Sequence, residues 1–427
     1  MISSKSKYVV LLLSSILVTY AVVGGMIGLV AAQGRFQTRN GSLPQLDYFS
    51  DVLAKIRSDY VDEPSMENVM NGAIRGLVET VDPNGGYLSP KDVAFYKDYD
   101  PEKAPGIGAS LGRRFGYPII GAVLPGGPAA KAGISTGDII ESIEGMTTRE
   151  LNLIQVYELL SSPPGKPVNL SVIRRSRGSA EPEKIPVTRE PFHMPSIESR
   201  MIEGNIAYVR IPYLGPGKAS DTRKQLDGLI KKGATGVILD LRYTAGQNEQ
   251  EAVDLASLFL DTGAPIGSLE GQKSVRKPLV AGSSSPLTKA PLTVLINQGT
   301  MGNAEIVAAS ITDSHRGQLV GSRTFGSGSV QRLIPMADGY ALLLSTAKYF
   351  RVNGKEIQDA GISPDTESFA ANEAQLDISP EDLESLPPGK APAPKGGQKA
   401  QPNEDSQLQK AIEVLRGSSA AAAPSRG

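Results

Sequence analysis

Two nearly continuous apolar runs, residues 236–241 (Gly-Val-Ile-Leu-Asp-Leu) and Leu292–Ile296 (Leu-Thr-Val-Leu-Ile), constrain the fold of this 427-residue chain more than any other feature. A strand with one wet face alternates apolar and polar residues, whereas a run without alternation needs cover on both faces. Between the two runs, residues 249–260 set Ala252, Leu255, Ala256 and Phe259 on one helical face. Upstream, residues 206–211 read as a further strand. Strand, helix and strand in that order predict a mostly parallel sheet covered by helices across residues 190–365. In such a sheet a ligand site belongs beyond the C-terminal strand ends, where residues 242–246 and 297–302 lie.

Two other regions precede this one. Residues 33–103 form a helical N-terminal segment, with Leu46, Phe49, Val52, Leu53 and Ile56 at helical spacing, then Val69, Ala73, Leu77 and Val78. Asp82-Pro83-Asn84-Gly85-Gly86 is a strong turn signal after them. Residues 104–180 resemble a PDZ domain of the circularly permuted bacterial type. The resemblance rests on Pro125-Gly126-Gly127-Pro128-Ala129-Ala130-Lys131-Ala132-Gly133-Ile134 leading into Gly137-Asp138-Ile139-Ile140. It implies that Ile107, Gly108, Ala109, Ser110 and Leu111 supply the strand and loop that receive a peptide C-terminus. Leu151, Ile154, Tyr157 and Leu160 recur as one face of the helix opposite. A groove of this kind works by strand addition, with backbone N–H groups of the loop holding the terminal carboxylate.

Composition removes several alternatives. Acidic and basic residues nearly cancel (45 against 44), so nothing points to nucleic acid. There is no cysteine, and the two histidines, His193 and His315, are too few for most metal centres, so no cofactor or metal is expected. Residues 8–32 are uncharged and mostly apolar, with Lys5 and Lys7 before them. That length suits a transmembrane helix with a cytoplasmic N-terminus, which would anchor the remainder in the cell envelope, on the periplasmic side of an inner membrane. A signal peptide cleaved after Val30-Ala31-Ala32, giving a secreted chain, is the other reading. The tail, 366–427, is Pro- and Ala-rich, with a short capped helical pattern at 405–415.

Over roughly residues 45–365 the chain resembles the C-terminal processing (tail-specific) serine peptidases. That family carries Ser-Ala-Ser-Ala-Ser-Glu-Ile around its nucleophile, the middle serine, and Thr-Phe-Gly-Lys-Gly-x-Val-Gln around its lysine base. Here the two segments read Thr300-Met301-Gly302-Asn303-Ala304-Glu305-Ile306 and Thr324-Phe325-Gly326-Ser327-Gly328-Ser329-Val330-Gln331. The nucleophile therefore falls on Gly302 and the base on Ser327, 25 positions later. Asn303, Glu305, Asp313, Gln331 and Gly246 belong to the retained frame, as do Thr346-Ala347-Lys348-Tyr349 and Gly361-Ile362-Ser363-Pro364-Asp365. The family's Leu-Asp-Leu-Arg-x-Asn-Pro-Gly-Gly loop, which contributes to the oxyanion hole, appears as residues 239–247, with Gln247 at the second glycine. Where the family often has Leu-Arg-Gly after the groove helix, this chain has Leu160-Ser161-Ser162.

Acyl transfer of this class needs a hydroxyl nucleophile, an amine poised to take its proton, and N–H donors for the oxyanion. Gly302 and Ser327 supply neither of the first two. The resemblance thus implies a multidomain α+β/α/β protein with a helical N-terminal unit, a PDZ domain and a peptidase-like core, to which the apolar segment 8–32 adds an N-terminal transmembrane helix. The expected activity is binding of peptide or protein C-termini, as an adaptor or regulator of proteolysis. Expected partners are such termini, the membrane through the N-terminal helix, and either an active peptidase or further copies of the chain. The alternative is an active serine endopeptidase with a non-standard dyad drawn from Thr300, Ser327 and Lys348. A purely structural assembly module is a third reading.

Overall fold

The computed structural model describes residues 43–101, 103–114, 116–174, 181–191, 194–282, 285–370 and 405–421. The apolar segment 8–32, His193 and nearly all of the 366–404 linker lie outside the described residues. No described helix is long and apolar enough to cross a membrane. The chain divides into two compact units, one ending at Ala73 and one starting at Ile74. The first holds helix α1 (Leu43–Asp59) and the start of helix α2 (Met66–Val81).

In the second unit, the Asp-Pro turn is a joint. The Asp82 carboxylate accepts from Asn84 N–H (3.1 Å) and, 263 residues away in sequence, from Ser345 N–H (2.6 Å). Strand β1 (Gly86–Leu88) and helix α3 (Pro90–Asp98) follow, the helix opened by a capping box between Ser89 and Asp92.

A six-stranded antiparallel sheet comes next: β2 (Ala109–Arg114), β3 (Tyr117–Val123), β4 (Ile139–Ile143), β5 (Pro167–Ile173) and β6 (Glu183–Thr188) in a row, with the two-residue strand Met146–Thr147 paired to β4 off that row. Strand order follows chain order, which leaves β2 on an edge. The short helix α4 (Pro128–Lys131) and helix α5 (Leu153–Ser161) complete this lobe. Helix α5 turns the expected face, Ile154, Tyr157 and Leu160, to the groove. Val156 and Leu160 pack in the core, while Ile154 and Tyr157 stay half-buried beside β2. Arg189, itself buried, donates to the carbonyls of Leu159, Ser162, Lys166 and Pro167 and so fixes the turn after α5.

The expected parallel sheet is present. Its strands are β7 (Glu198–Ile202), β8 (Ile206–Arg210), β9 (Gly236–Asp240), β12 (Leu292–Ile296), β13 (Gln318–Gly321) and β16 (Thr366–Glu367), in that spatial order. Every neighbouring pair is parallel except β7 with β8. Side chains alternate between two cores, which is why the runs looked continuous. Val209, Leu239 and Val294 pack with helices α6 (Lys218–Lys231), α7 (Glu249–Ala256) and α8 (Asn303–Asp313). Tyr208, Ile238 and Leu295 pack instead with Ala411 and Leu415 of helix α9 (Ser406–Ala421). The Arg242 guanidinium holds α9 in place, meeting both oxygens of Asp405 at 2.7 and 2.8 Å while also pairing with the buried Asp240. A second, antiparallel sheet runs β1, β15 (Ala341–Phe350), β10 (Pro265–Gly271), β11 (Ser274–Val280), with β14 (Ser329–Pro335) paired to β15.

Removing residues 405–427 should uncover Ile206, Tyr208, Ile238, Leu295 and Val320 together. The truncated chain is expected to bind the dye ANS and to unfold at lower urea concentration than the full chain; identical dye binding and midpoint would show that α9 contributes no cover.

Candidate active site

The site forms where strands β9 and β12 end. Asn297 is fully buried, and its side-chain oxygen accepts from Tyr243 N–H and Gly299 N–H, both at 3.0 Å, so one amide fixes both strand-end loops. Thr300 donates its hydroxyl to Leu241 O (2.7 Å) and accepts from Asn297 N–H. Residues 213–214, 245–246 and 301–302 then pair as three very short parallel strands, with Gly246 opposite Gly302.

Gly302 is the turn from strand to helix. It has φ 65° and ψ −133° and precedes the first residue of α8. This is the kind of sharp strand-to-helix turn on which hydrolases present a nucleophile. Here nothing is presented, and the space is taken. A Cβ added at 302 would overlap the Gly246 carbonyl oxygen. A serine at this position would require residues 245–246 to draw back.

Glu305 joins this turn to the second motif. It is fully buried. One carboxylate oxygen accepts from Gly302 N–H (3.0 Å) and Ser327 N–H (2.7 Å), the other from Gly326 N–H (2.7 Å) and the Thr324 hydroxyl (2.5 Å). Desolvation pushes the Glu305 pKa up to about 7, against the lowering effect of those four hydrogen bonds. Gly302 and Ser327 are therefore brought together by one carboxylate that both backbones share.

The other expected residues are placed as follows. Asn303 begins α8 and lines the cleft; its amide nitrogen is buried with no hydrogen-bond partner. Since the family motif has alanine there, Asn303 belongs with the altered residues rather than the retained frame. Gln331 lines the same cleft and donates to Asn84 O (2.7 Å). Asp313 is not part of the site. It ends α8, about 15 Å along the helix from Asn303, and is paired with Arg351. His315 is exposed just beyond the same helix end. Lys348 is half-exposed and ion-paired with Glu356 at 2.7 Å, unlike the desolvated amine that a general base requires.

A cleft of about 650 Å³ runs from the groove between β2 and α5 to Gly246, Gly302 and Ser327. Of the groove residues, Ile107 and Leu111 are buried, while Gly108, Ala109, Ser110, Ile154 and Tyr157 line the cleft with them. Gly108 turns the loop at φ 68°. The two lobes meet directly. Phe325 packs on Gly112 so closely that a Cβ there would overlap the ring, and Met301 packs likewise on Gly121. Arg114 lies over the Phe325 ring, donates to Phe325 O (3.0 Å) and pairs with Asp359 (2.9 Å). It forms a contact between lobes where the arginine expected after α5 is missing. Asn84, Met301 and Arg114 escaped sequence reasoning, although Asn84 stood inside a recognised turn signal.

Comparison with known proteins agrees with this architecture. The profile of peptidase family S41 matches residues 205–368, and a PDZ profile matches 119–174. A carboxy-terminal-processing protease of Bartonella bacilliformis is 30% identical over 390 residues, covering 87% of this chain and 88% of that one. Carboxy-terminal processing protease CtpA of Bacillus subtilis is 29% identical, over 78% of this chain and 71% of its own. Among solved structures, the photosystem II D1 C-terminal processing protease superposes with a TM-score of 0.64 at 24% identity, covering 79% of this chain and 94% of that one.

Two outcomes are expected. Gly302→Ala and Gly302→Ser should each cost about 2–4 kcal/mol in urea unfolding, because both impose a Cβ at positive φ against a carbonyl, whereas Ser327→Ala should cost under ~1 kcal/mol. Glu305 ionises near pH 4.5 in an unfolded chain and near 7 in the folded one. Its contribution to stability is thus complete below pH 4.5 and is lost as pH rises to about 7. The stability difference between wild type and Glu305→Gln should therefore move in favour of wild type, by roughly 3 kcal/mol, from pH 8 to pH 4.5; a flat difference would refute the shift.

Proposed function

The chain belongs to the carboxy-terminal processing proteases of peptidase family S41, and from that premise we propose that it captures peptide ends without cutting them. The observation carrying this reading is the pair Gly302 and Ser327, at the nucleophile and base positions of a frame that keeps Glu305, Thr324 and Gln331. A glycine has no nucleophile, and a serine hydroxyl cannot take its place as base. Losing such a dyad removes catalysis by several orders of magnitude, and the two losses do not add because the residues act as a unit. The Gly246 carbonyl over position 302 supports the same reading, because it fills the space where a nucleophilic side chain would stand.

What remains suits binding. The groove between β2 and α5 opens into the same cleft as the vacated site, so an extended chain end held in the groove has room to continue toward Ser327. The proposed role is that of an adaptor, inhibitor or regulatory subunit in the cell envelope, anchored through residues 8–32 and acting on an active peptidase or on further copies of itself. An active enzyme with a relocated dyad is disfavoured by the hydroxyl of Thr300, committed to Leu241 O, and by the ion pair of Lys348.

The full chain, incubated with unfolded substrates bearing free C-termini, should bind and release them uncut. Gly302→Ser with Ser327→Lys should stay inactive, because a side chain at 302 meets the Gly246 carbonyl oxygen. Cleavage by the wild type that disappears in Ser327→Ala or Lys348→Ala would overturn the proposal.

A further inference from the structure

Strand β2 is an edge strand, and the groove along it takes a ligand only if its main-chain N–H groups are available to pair. Two of them are already engaged by side chains of the same molecule. Leu111 N–H donates to the Tyr157 hydroxyl at 2.9 Å, and Arg113 N–H donates to Asn84 Oδ1 at 3.2 Å. Neither partner is loosely placed. The Tyr157 ring packs against Tyr99 with centroids 5.5 Å apart, and Tyr99 packs against Phe95 at 5.1 Å, so helix α3 supports the tyrosine. Asn84 sits in the turn tied by Asp82, and its own carbonyl accepts from Gln331 of β14.

Building on the peptide-capture reading, we propose that Tyr157 and Asn84 are internal stand-ins for the ligand strand, and that they set which chains the groove accepts. Their oxygens occupy the positions that main-chain carbonyls of an added strand would take. The ligand is an extended peptide with a free terminal carboxylate, long enough for its carbonyls to recapture both donors. A ligand holding only the carboxylate loop leaves Tyr157 and Asn84 in place. A longer one displaces both side-chain oxygens, while the backbone carbonyl of Asn84 keeps its bond from Gln331. Self-capping also protects an exposed edge from pairing with other strands.

Each stand-in competes with the ligand by about one hydrogen bond, which is worth roughly a fivefold change in affinity. The probe is a fluorescein-labelled decapeptide with an apolar C-terminal residue, prepared with a free carboxylate and as its C-terminal amide, titrated against the full chain. Tyr157→Phe keeps the ring and removes only the acceptor; it should bind the free-carboxylate peptide about fivefold tighter. Tyr157→Phe with Asn84→Ala should bind about 25-fold tighter, and the amide should bind weakly to every form. Wild-type binding that neither variant improves overturns this inference and leaves peptide capture standing. If no form binds the peptide, including the doubly uncapped one, peptide capture itself fails and the inference with it. Amide hydrogen exchange across residues 109–114 gives a readout independent of ligand: it should quicken several-fold in Tyr157→Phe, and unchanged exchange refutes the stand-in role of the tyrosine.

Discussion

The Glu305 carboxylate, sealed from water, is the interaction on which the site depends. It draws together the start of α8 and residues 324–327, segments about twenty residues apart in sequence, by accepting three backbone N–H groups and one hydroxyl. A buried carboxylate is costly, and it is tolerated only because both oxygens are used by donors. Such a clamp has no need of the nucleophile or the base. The frame therefore persists with Gly302 and Ser327 in place, since what those two positions donate is a backbone N–H that any residue except proline supplies.

The same reasoning extends to the space around position 302. The strand at 245–246 pairs with 301–302 directly, and the Gly246 carbonyl oxygen lies where a side chain at 302 would project. Asn303 now stands where the motif has alanine, and Gln247 stands where it has glycine. The carbonyl at 246 and the glycine at 302 are consistent with each other, whereas Gln247 is exposed and the Asn303 amide nitrogen is buried without a hydrogen-bond partner. The PDZ lobe adds to the consistency: Gly112 and Gly121 are shaped to receive Phe325 and Met301, so both motif segments are also held from the opposite side of the cleft.

Much of this protein was legible along the chain. The parallel sheet followed from two runs that lacked alternation, and both proved to be covered on each face, one side by α6–α8 and the other by α9. The turn signal at 82–86 was visible too, but its purpose was not. That Asp82 reaches Ser345, and Asn84 reaches Arg113 and Gln331, depends on chain proximity that no local pattern encodes. Helical spacing also placed Ile154, Tyr157 and Leu160 on the groove side of α5, where they line the cleft, but it did not show that Val156 of the same helix packs into the sheet core.

By itself, the sequence determined which residues are available: no thiol, no hydroxyl at 302, no amine at 327, and a retained glutamate at 305. Chemistry that needs a missing functional group is excluded without any coordinates. Tertiary structure decided everything that depends on occupied space and on who donates to whom. It put a carbonyl oxygen where a side chain at 302 would project, gave Arg242 to the C-terminal helix, and set Tyr157 and Asn84 on the strand edge that a ligand would need. Those outcomes arise from contacts between residues tens to hundreds of positions apart, and only the folded chain brings them within hydrogen-bonding distance.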